Sequence, residues 1–228
     1  MMERFFIKVS MIVALLLVGG ATFSSCQEKQ KNSMMNVDII SAVKAGNLTS
    51  VTQLLDQHVA INTANQQGES LLLLATQRNN VAMAELLVSR GADVNQQASN
   101  LDSPFLFAGA SGFTKLVSLY LKNGARFDIF NRYNGTALIP ACERGHVETV
   151  RLLANTPNFP IDHVNRLGWT ALIEAVILGD GSAKYVQIVN VLLQAGVNPS
   201  IADNQGVTPL QHARKKGFTN IVTLLEGK

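Results

Sequence analysis

The chain has 228 residues, of which 47% are hydrophobic and 15% charged, with a formal net charge of +3. Removing Arg4, Lys8 and Glu3 with the amino-terminal segment lowers that charge by one. A balance this mild gives no electrostatic ground for nucleic acid or an anionic surface as partner. Abundant Leu, Val and Ala suit one domain with a continuous buried core.

The amino end, MMERFFIKVSMIVALLLVGGATFSSC, places Arg4 and Lys8 before an apolar run from Val9 to Val18 and small residues after it. This is the layout of a secretory signal peptide, and the run is too short to span a membrane comfortably. The stretch Phe23-Ser24-Ser25-Cys26 resembles a bacterial lipobox, although Phe23 stands where Leu is usual. The resemblance implies a signal peptide over 1–25, lipidation of Cys26, and a polar tether over 26–36. Gln27, not being Asp, favours the outer membrane, with the protein facing the periplasm. Ordinary cleavage after Gly19-Gly20-Ala21 is the alternative and would leave a soluble periplasmic or secreted protein. With Cys26 consumed by lipid, Cys142 is expected as a small packed thiol and no disulfide is expected.

Beyond residue 36 the chain repeats itself. Ser70, Ser103, Thr136, Thr170 and Thr208 each open a short apolar run, followed five residues later by Ala75, Ala108, Ala141, Ala175 and Ala213. Successive anchors are 33, 33, 34 and 38 residues apart. Gly112, Gly145, Gly179 and Gly217 stand nine residues after their anchors, with Asn79 in that place after Ser70. A second apolar cluster follows in each copy, and Ala42, Gly46, Leu54 and Leu55 keep the same frame upstream.

This pattern, with Thr208-Pro209-Leu210 early and Gly91-Ala92-Asp93-Val94-Asn95 at a unit's end, resembles the ankyrin repeat. The resemblance implies an all-α solenoid of about six stacked helix-turn-helix units with short hairpin-like loops. Their approximate bounds are 37–66, 67–99, 100–132, 133–166, 167–204 and 205–228. The physics agrees. Ser or Thr before an apolar run caps a helix, Pro fits its first turn, and Gly supplies the left-handed exit. Neither helix of a unit can bury its apolar face alone, so units stack.

Three departures are informative. The His usual after Thr-Pro-Leu is replaced by Leu73, Leu106, Ile139, Ile173 and Gln211, so its polar brace is expected to be missing. The segment ANTPNFPIDHVNRL carries Pro157 and Pro160 and predicts an irregular turn. The fifth unit has five surplus residues, expected as a polar loop over GDGSAKY, 179–185.

No constellation for catalysis is present. The four His residues lack metal-ligand spacing, GDGSA lacks the Lys of a phosphate loop, and no Ser sits on a nucleophile elbow. No cofactor, metal or small-molecule substrate is expected, and no membrane contact beyond the lipid. Arg214, Lys215 and Lys216 predict a solvated helix end; without interleaved aromatics they give no nucleic-acid signal.

The resemblance implies protein binding through the concave face, at positions four, three and one before each anchor and seven and eight after it. In the fourth and fifth units those positions include Arg132, Tyr133, Arg144, Arg166, Leu167 and Trp169. Trp, Tyr and Arg dominate binding hot spots. These six residues are therefore the candidate contacts for a protein partner with an acidic patch; the alternative for Trp169 is that it covers the Phe159-Pro160 turn. The expected role is an envelope scaffold or helper, the alternative an immunity-type inhibitor of a toxic effector.

Overall fold

The computed structural model describes residues 30–227, all-helical and without strands over that range. The signal-peptide and Cys26 readings fall outside the described residues. Two compact units divide at Ala60/Ile61.

In the first unit, α1 spans 30–45 and α2 spans Leu48–Asp56. Residues 30–36, read from sequence as tether, are helical and continuous with the rest of α1. Gly46 turns the chain in the left-handed region, and Asn47 caps α2 by accepting from the Ser50 amide at 3.0 Å. His58 takes the left-handed exit with φ +67°, where three later copies use Gly91, Gly124 and Gly196.

The second unit contains five helix pairs: α3 (Leu71–Gln77) with α4 (Val81–Ser89), α5 (Pro104–Ala110) with α6 (Thr114–Leu121), α7 (Leu138–Glu143) with α8 (Val147–Ala154), α9 (Ala171–Ile177) with α10 (Ala183–Gln194), and α11 (Pro209–Lys216) with α12 (Thr219–Glu226). The odd-numbered helices pack in one row and the even-numbered in a second, each pair joining the rows. Leu71–Ala75, Leu138–Cys142 and Ala171–Val176 are buried without a break; α7 and α9 each lie between first helices on both sides. Cys142 is a free, buried thiol, pushed up by burial and by the Glu174 carboxylate.

Four of the five hydroxyl anchors cap as expected. Ser70, Ser103, Thr170 and Thr208 accept from the amides of Leu73, Leu106, Ile173 and Gln211 at 3.1–3.3 Å. Gln211 also returns its side chain to the Thr208 amide at 2.7 Å. The polar brace expected to be missing is thus restored in the last copy as a capping box.

Thr136 breaks the rule. Its hydroxyl is buried without a hydrogen-bond partner, and α7 begins only at Leu138. In the other copies the residue four beyond the anchor donates to the anchor's carbonyl, as Glu174 does to Thr170 at 3.0 Å. Here that residue is Pro140, which has no N–H, so the first turn cannot close.

The surplus of the fifth unit is also placed differently from expectation. Only 178–182 is irregular, and Ala183-Lys184-Tyr185 forms the first turn of α10, which at 12 residues is the longest helix in this unit. Tyr185 explains this: its ring is buried and its hydroxyl donates to the Glu143 carbonyl of the preceding pair at 2.7 Å.

Consecutive units are tied by a ladder at the hairpin bases. Asn62, Asn95 and Asp162 side chains accept from the amides of Asp93, Arg126 and Asn198, each at 2.9 Å. The ladder fails at the irregular 155–161 turn, where Asp128 takes the Arg126 guanidinium instead. There the rings of Phe105, Phe127 and Phe159 pack in series, tilted against one another, at 6.2 and 4.9 Å between centroids.

The cap difference is measurable by urea denaturation. Thr136→Val removes a hydroxyl that bonds nothing and is expected to leave stability within about 0.5 kcal/mol of wild type or raise it. Thr170→Val deletes a working cap and is expected to cost about 1–2 kcal/mol. Equal costs would contradict this account.

Candidate functional site

Five loops of one design project from the second unit, at 65–69, 98–102, 131–135, 165–169 and 203–207. In each, the first residue's amide donates to the fifth residue's carbonyl at 2.9–3.0 Å, and the fourth residue's amide donates to the first carbonyl. In four loops the first residue is Asn65, Asn131, Asn165 or Asp203, whose side-chain oxygen accepts the amides two and four places on. Ala98 cannot do this, and Gln97 substitutes by donating to the Leu101 and Phe130 carbonyls at 2.7 and 2.8 Å.

The fourth place requires the left-handed region. Gly68, Gly168 and Gly206 suit it, and Asn134 tolerates it, but the 98–102 loop puts Leu101 there with φ +64°. Neighbouring loops interlock: the Arg166 amide donates to the Tyr133 carbonyl at 2.8 Å, and the Ser99 amide to Gln67 at 3.0 Å. The loop tips are rigid before any partner arrives.

Arg132, Tyr133 and Arg144 meet on one cleft of about 240 Å³ between α5 and α7, with Asp102, Phe107 and Glu143 on its lining. The Arg132 guanidinium lies 5.2 Å over the Tyr133 ring and 4.0 Å from the Asp102 carboxylate, and it is about half exposed. Arg144 is more tied, its Nη1 donating to the Ala110 carbonyl at the end of α5 at 2.8 Å. Lys216 does the same two copies later, donating to the Ile177 carbonyl at the end of α9. These cations stand at the same repeat position and satisfy the helix end of the unit before them.

Arg166 and Leu167 occupy the next loop tip rather than the cleft. Arg166 donates from Nη1 to the Arg132 carbonyl at 3.2 Å, and Leu167 is exposed. Trp169 is half-buried at the loop's base, with its amide on Asn165. Sequence reasoning passed over the Asn/Asp brace, although an Asn or Asp stands five residues before four of the five anchors. It also passed over Leu101, whose signal was alignment with Gly68, Gly168 and Gly206.

Behind the cleft lies Glu174, 5% exposed, with Oε1 accepting from Asn165 Nδ2 at 2.9 Å. Burial, reinforced by the Glu143 carboxylate and opposed by the Asn165 hydrogen bond, pushes Glu174 up to about 7. The corresponding pair in the last copy is His212 Nε2 on Asp203 Oδ2 at 2.7 Å. Hydrogen bonds from the Val207 amide, the His212 side chain and the Gln205 amide hold Asp203 below the usual carboxylate range against the opposing effect of desolvation. No group of three or more His, Cys, Asp or Glu is placed to hold a metal among the described residues.

The family model for ankyrin repeats in three copies matches residues 10–98, 39–131 and 105–203. The chain belongs to the ankyrin-repeat family. It is 35% identical over 188 residues to the putative ankyrin repeat protein YahD of Escherichia coli (strain K12), covering 82% of this chain and 94% of that one. An ankyrin repeat domain of Acinetobacter baumannii AYE shares 46% identity at a TM-score of 0.80, covering 83% of this chain and 96% of that one. The ankyrin repeat domain of Bcl-3, of the IkappaB family, shares 25% identity at a TM-score of 0.75, covering 83% and 85%. Ankyrin repeats are protein-interaction modules, which supports a non-enzymatic binding role for this array.

The Glu174 carboxyl makes the stability of this ankyrin array pH-dependent. Its proton is held more tightly folded than unfolded, so it favours the folded state at low pH. That contribution is lost as pH rises from about 4.5 to about 7, by roughly 3 kcal/mol. Glu174→Gln keeps the acceptor for Asn165 and carries no charge. Its urea midpoint is expected to match wild type near pH 4 and exceed it at pH 8. A difference between the two proteins that does not change with pH would refute the assignment.

Proposed function

We propose that the protein is a non-enzymatic binding module anchored in a bacterial envelope through a lipid on Cys26. It holds a protein partner on the face made by the first helices and loop tips of units three to five. Its role is that of an outer-membrane scaffold or helper facing the periplasm. The observation that carries the reading is the Arg132–Tyr133 pair on the rim of the α5/α7 cleft. It joins a cation, an aromatic face and an apolar floor on rigid supports, the composition of an interface centre. Arg132 and Arg166, one per loop tip, suit acidic groups on the partner. Similarity to bacterial chains from Escherichia coli and Acinetobacter supports the bacterial setting.

Two experiments test the two halves. Cys26→Ser is expected to move the full chain from the membrane to the soluble fraction on differential centrifugation; a variant that stays membrane-bound would remove the lipid anchor from the proposal. For binding, the full-length chain is immobilised as wild type and as the Arg132→Ala, Tyr133→Ala, Arg166→Ala triple, and envelope extract is passed over both. A protein retained by wild type and at least tenfold depleted on the triple is expected. Equal retention would move the site elsewhere on the array. Retention of only a toxic effector encoded beside this chain would replace the scaffold role with inhibition.

A further inference from the structure

Large hydrophobic side chains that remain exposed in 61–228 are confined to a narrow span. They are Leu101, Tyr133, Val164, Leu167 and Leu178 among the described residues, and none belongs to the second or last copy. Leu101, Tyr133 and Leu167 are 42%, 50% and 46% exposed and stand on three consecutive loop tips. One such residue per repeat makes a ridge running along the stack rather than a round patch. Because adjacent tips are tied by the Arg166-to-Tyr133 backbone bond and the Arg132–Asp102 approach, these side chains offer a partner one line of apolar contact.

Leu101 is the most informative of the three. Other tips place Gly or Asn at its left-handed position, where a Leu is disfavoured by contact of its Cβ with the backbone. Its side chain is also left in water. A residue costly both to the backbone and to solvation is retained where it has a use, and backbone outliers of this kind gather at ligand-contacting sites.

Between these residues two cations stand against one carboxylate, Asp102, next to Leu101. Arg132 and Arg166 stand immediately before Tyr133 and Leu167, and the 131–135 and 165–169 loops contain no acid. Arg132 faces the partly buried Asp102 only at 4.0 Å, and Asp102 also accepts from Asn100, so the half-exposed guanidinium keeps donors for a further carboxylate. Arg166 pairs with no carboxylate among the described residues and keeps donors beyond the one given to the Arg132 carbonyl. The tips are also pre-ordered by their Asn braces and by the Arg166-to-Tyr133 backbone bond, so little entropy remains to be lost on binding.

We infer that the ridge Leu101–Tyr133–Leu167 receives an extended segment of the partner in which apolar side chains alternate with Asp or Glu. The apolar groups lie on the three tips and the carboxylates meet Arg132 and Arg166. This rests on the proposed binding role and specifies which part of the face is used and by what chemistry. Leu101, outside the residues selected from sequence, becomes the third anchor of the site.

The test uses displayed random 15-residue peptides panned on the immobilised full-length chain, with Leu101→Asn and Leu167→Ser as variants. Enriched peptides are expected to carry Leu, Ile or Phe interspersed with Asp and Glu, and to bind each variant about tenfold or more weakly. Leu101→Asn is expected at the same time to raise Tm, on the order of 3 °C, because Asn tolerates the left-handed backbone. A variant that folds more firmly yet binds less well separates contact from structural support. Basic peptides, no enriched peptides, or peptides indifferent to both substitutions would each overturn the inference. An envelope protein retained by the chain alongside any of these results would leave the general binding role standing. Enriched acidic–apolar peptides with no envelope protein retained would instead overturn the envelope role alone.

Discussion

The first helices α5, α7 and α9 end in carbonyls left open within their own unit, and a later residue of the next unit supplies the donor. Arg144 reaches back to Ala110, Lys216 to Ile177, and Tyr185 to Glu143. The apolar faces obey the same constraint, since α3 to α12 are short and none buries its face without a neighbour. Stability is therefore a property of adjacent pairs. Residues that look like surface cations in one copy are helix-end donors for the copy before. Arg144 and Lys216 divide their chemistry between holding the stack and facing outward, whereas Arg132 gives up almost nothing to structure.

Repetition made the architecture legible. A hydroxyl, an Ala five places on and a Gly nine places on recur because each answers a local demand: a cap, a close helix contact, a left-handed exit. Gly112 shows two demands met at once, with φ +71° and the His146 ring where a Cβ would stand. Those requirements act within one unit, so one copy predicts the next. What escaped notice depends on residues about 33 apart meeting in space. The α5/α7 cleft is made of side chains from two copies, and no window of sequence contains it. The surplus in the fifth unit looked like loop because Gly179, Asp180, Gly181 and Ser182 dominate its appearance. Burial of Tyr185 against the previous unit recruited the remainder into α10. The single change at Pro140 shows the limit from the other side: an ordinary anchor, Thr136, fails because of a residue four places away.

Exceptions to the repeat rules occur early, with His58 and Asn79 in left-handed Gly positions, but most gather further along. Leu101 in a left-handed turn, Thr136 without a partner, Pro140 in a first turn, the broken ladder at 155–161 and the buried Glu174 all fall in units three to five. The copy at 67–99 has working caps and an Asn-braced loop, and the last has a complete capping box with Asp203 braced by His212. Local rules are broken where function competes with folding, and well-formed neighbours carry the cost. The stack permits this because each unit needs only its neighbours to be sound. The same three units hold the exposed ridge, the Arg132–Tyr133 pair and the cleft. Most departures from the repeat and the outward-facing chemistry thus fall in one region of the array, meeting in the single residue Leu101, and that overlap sets this face apart from the others.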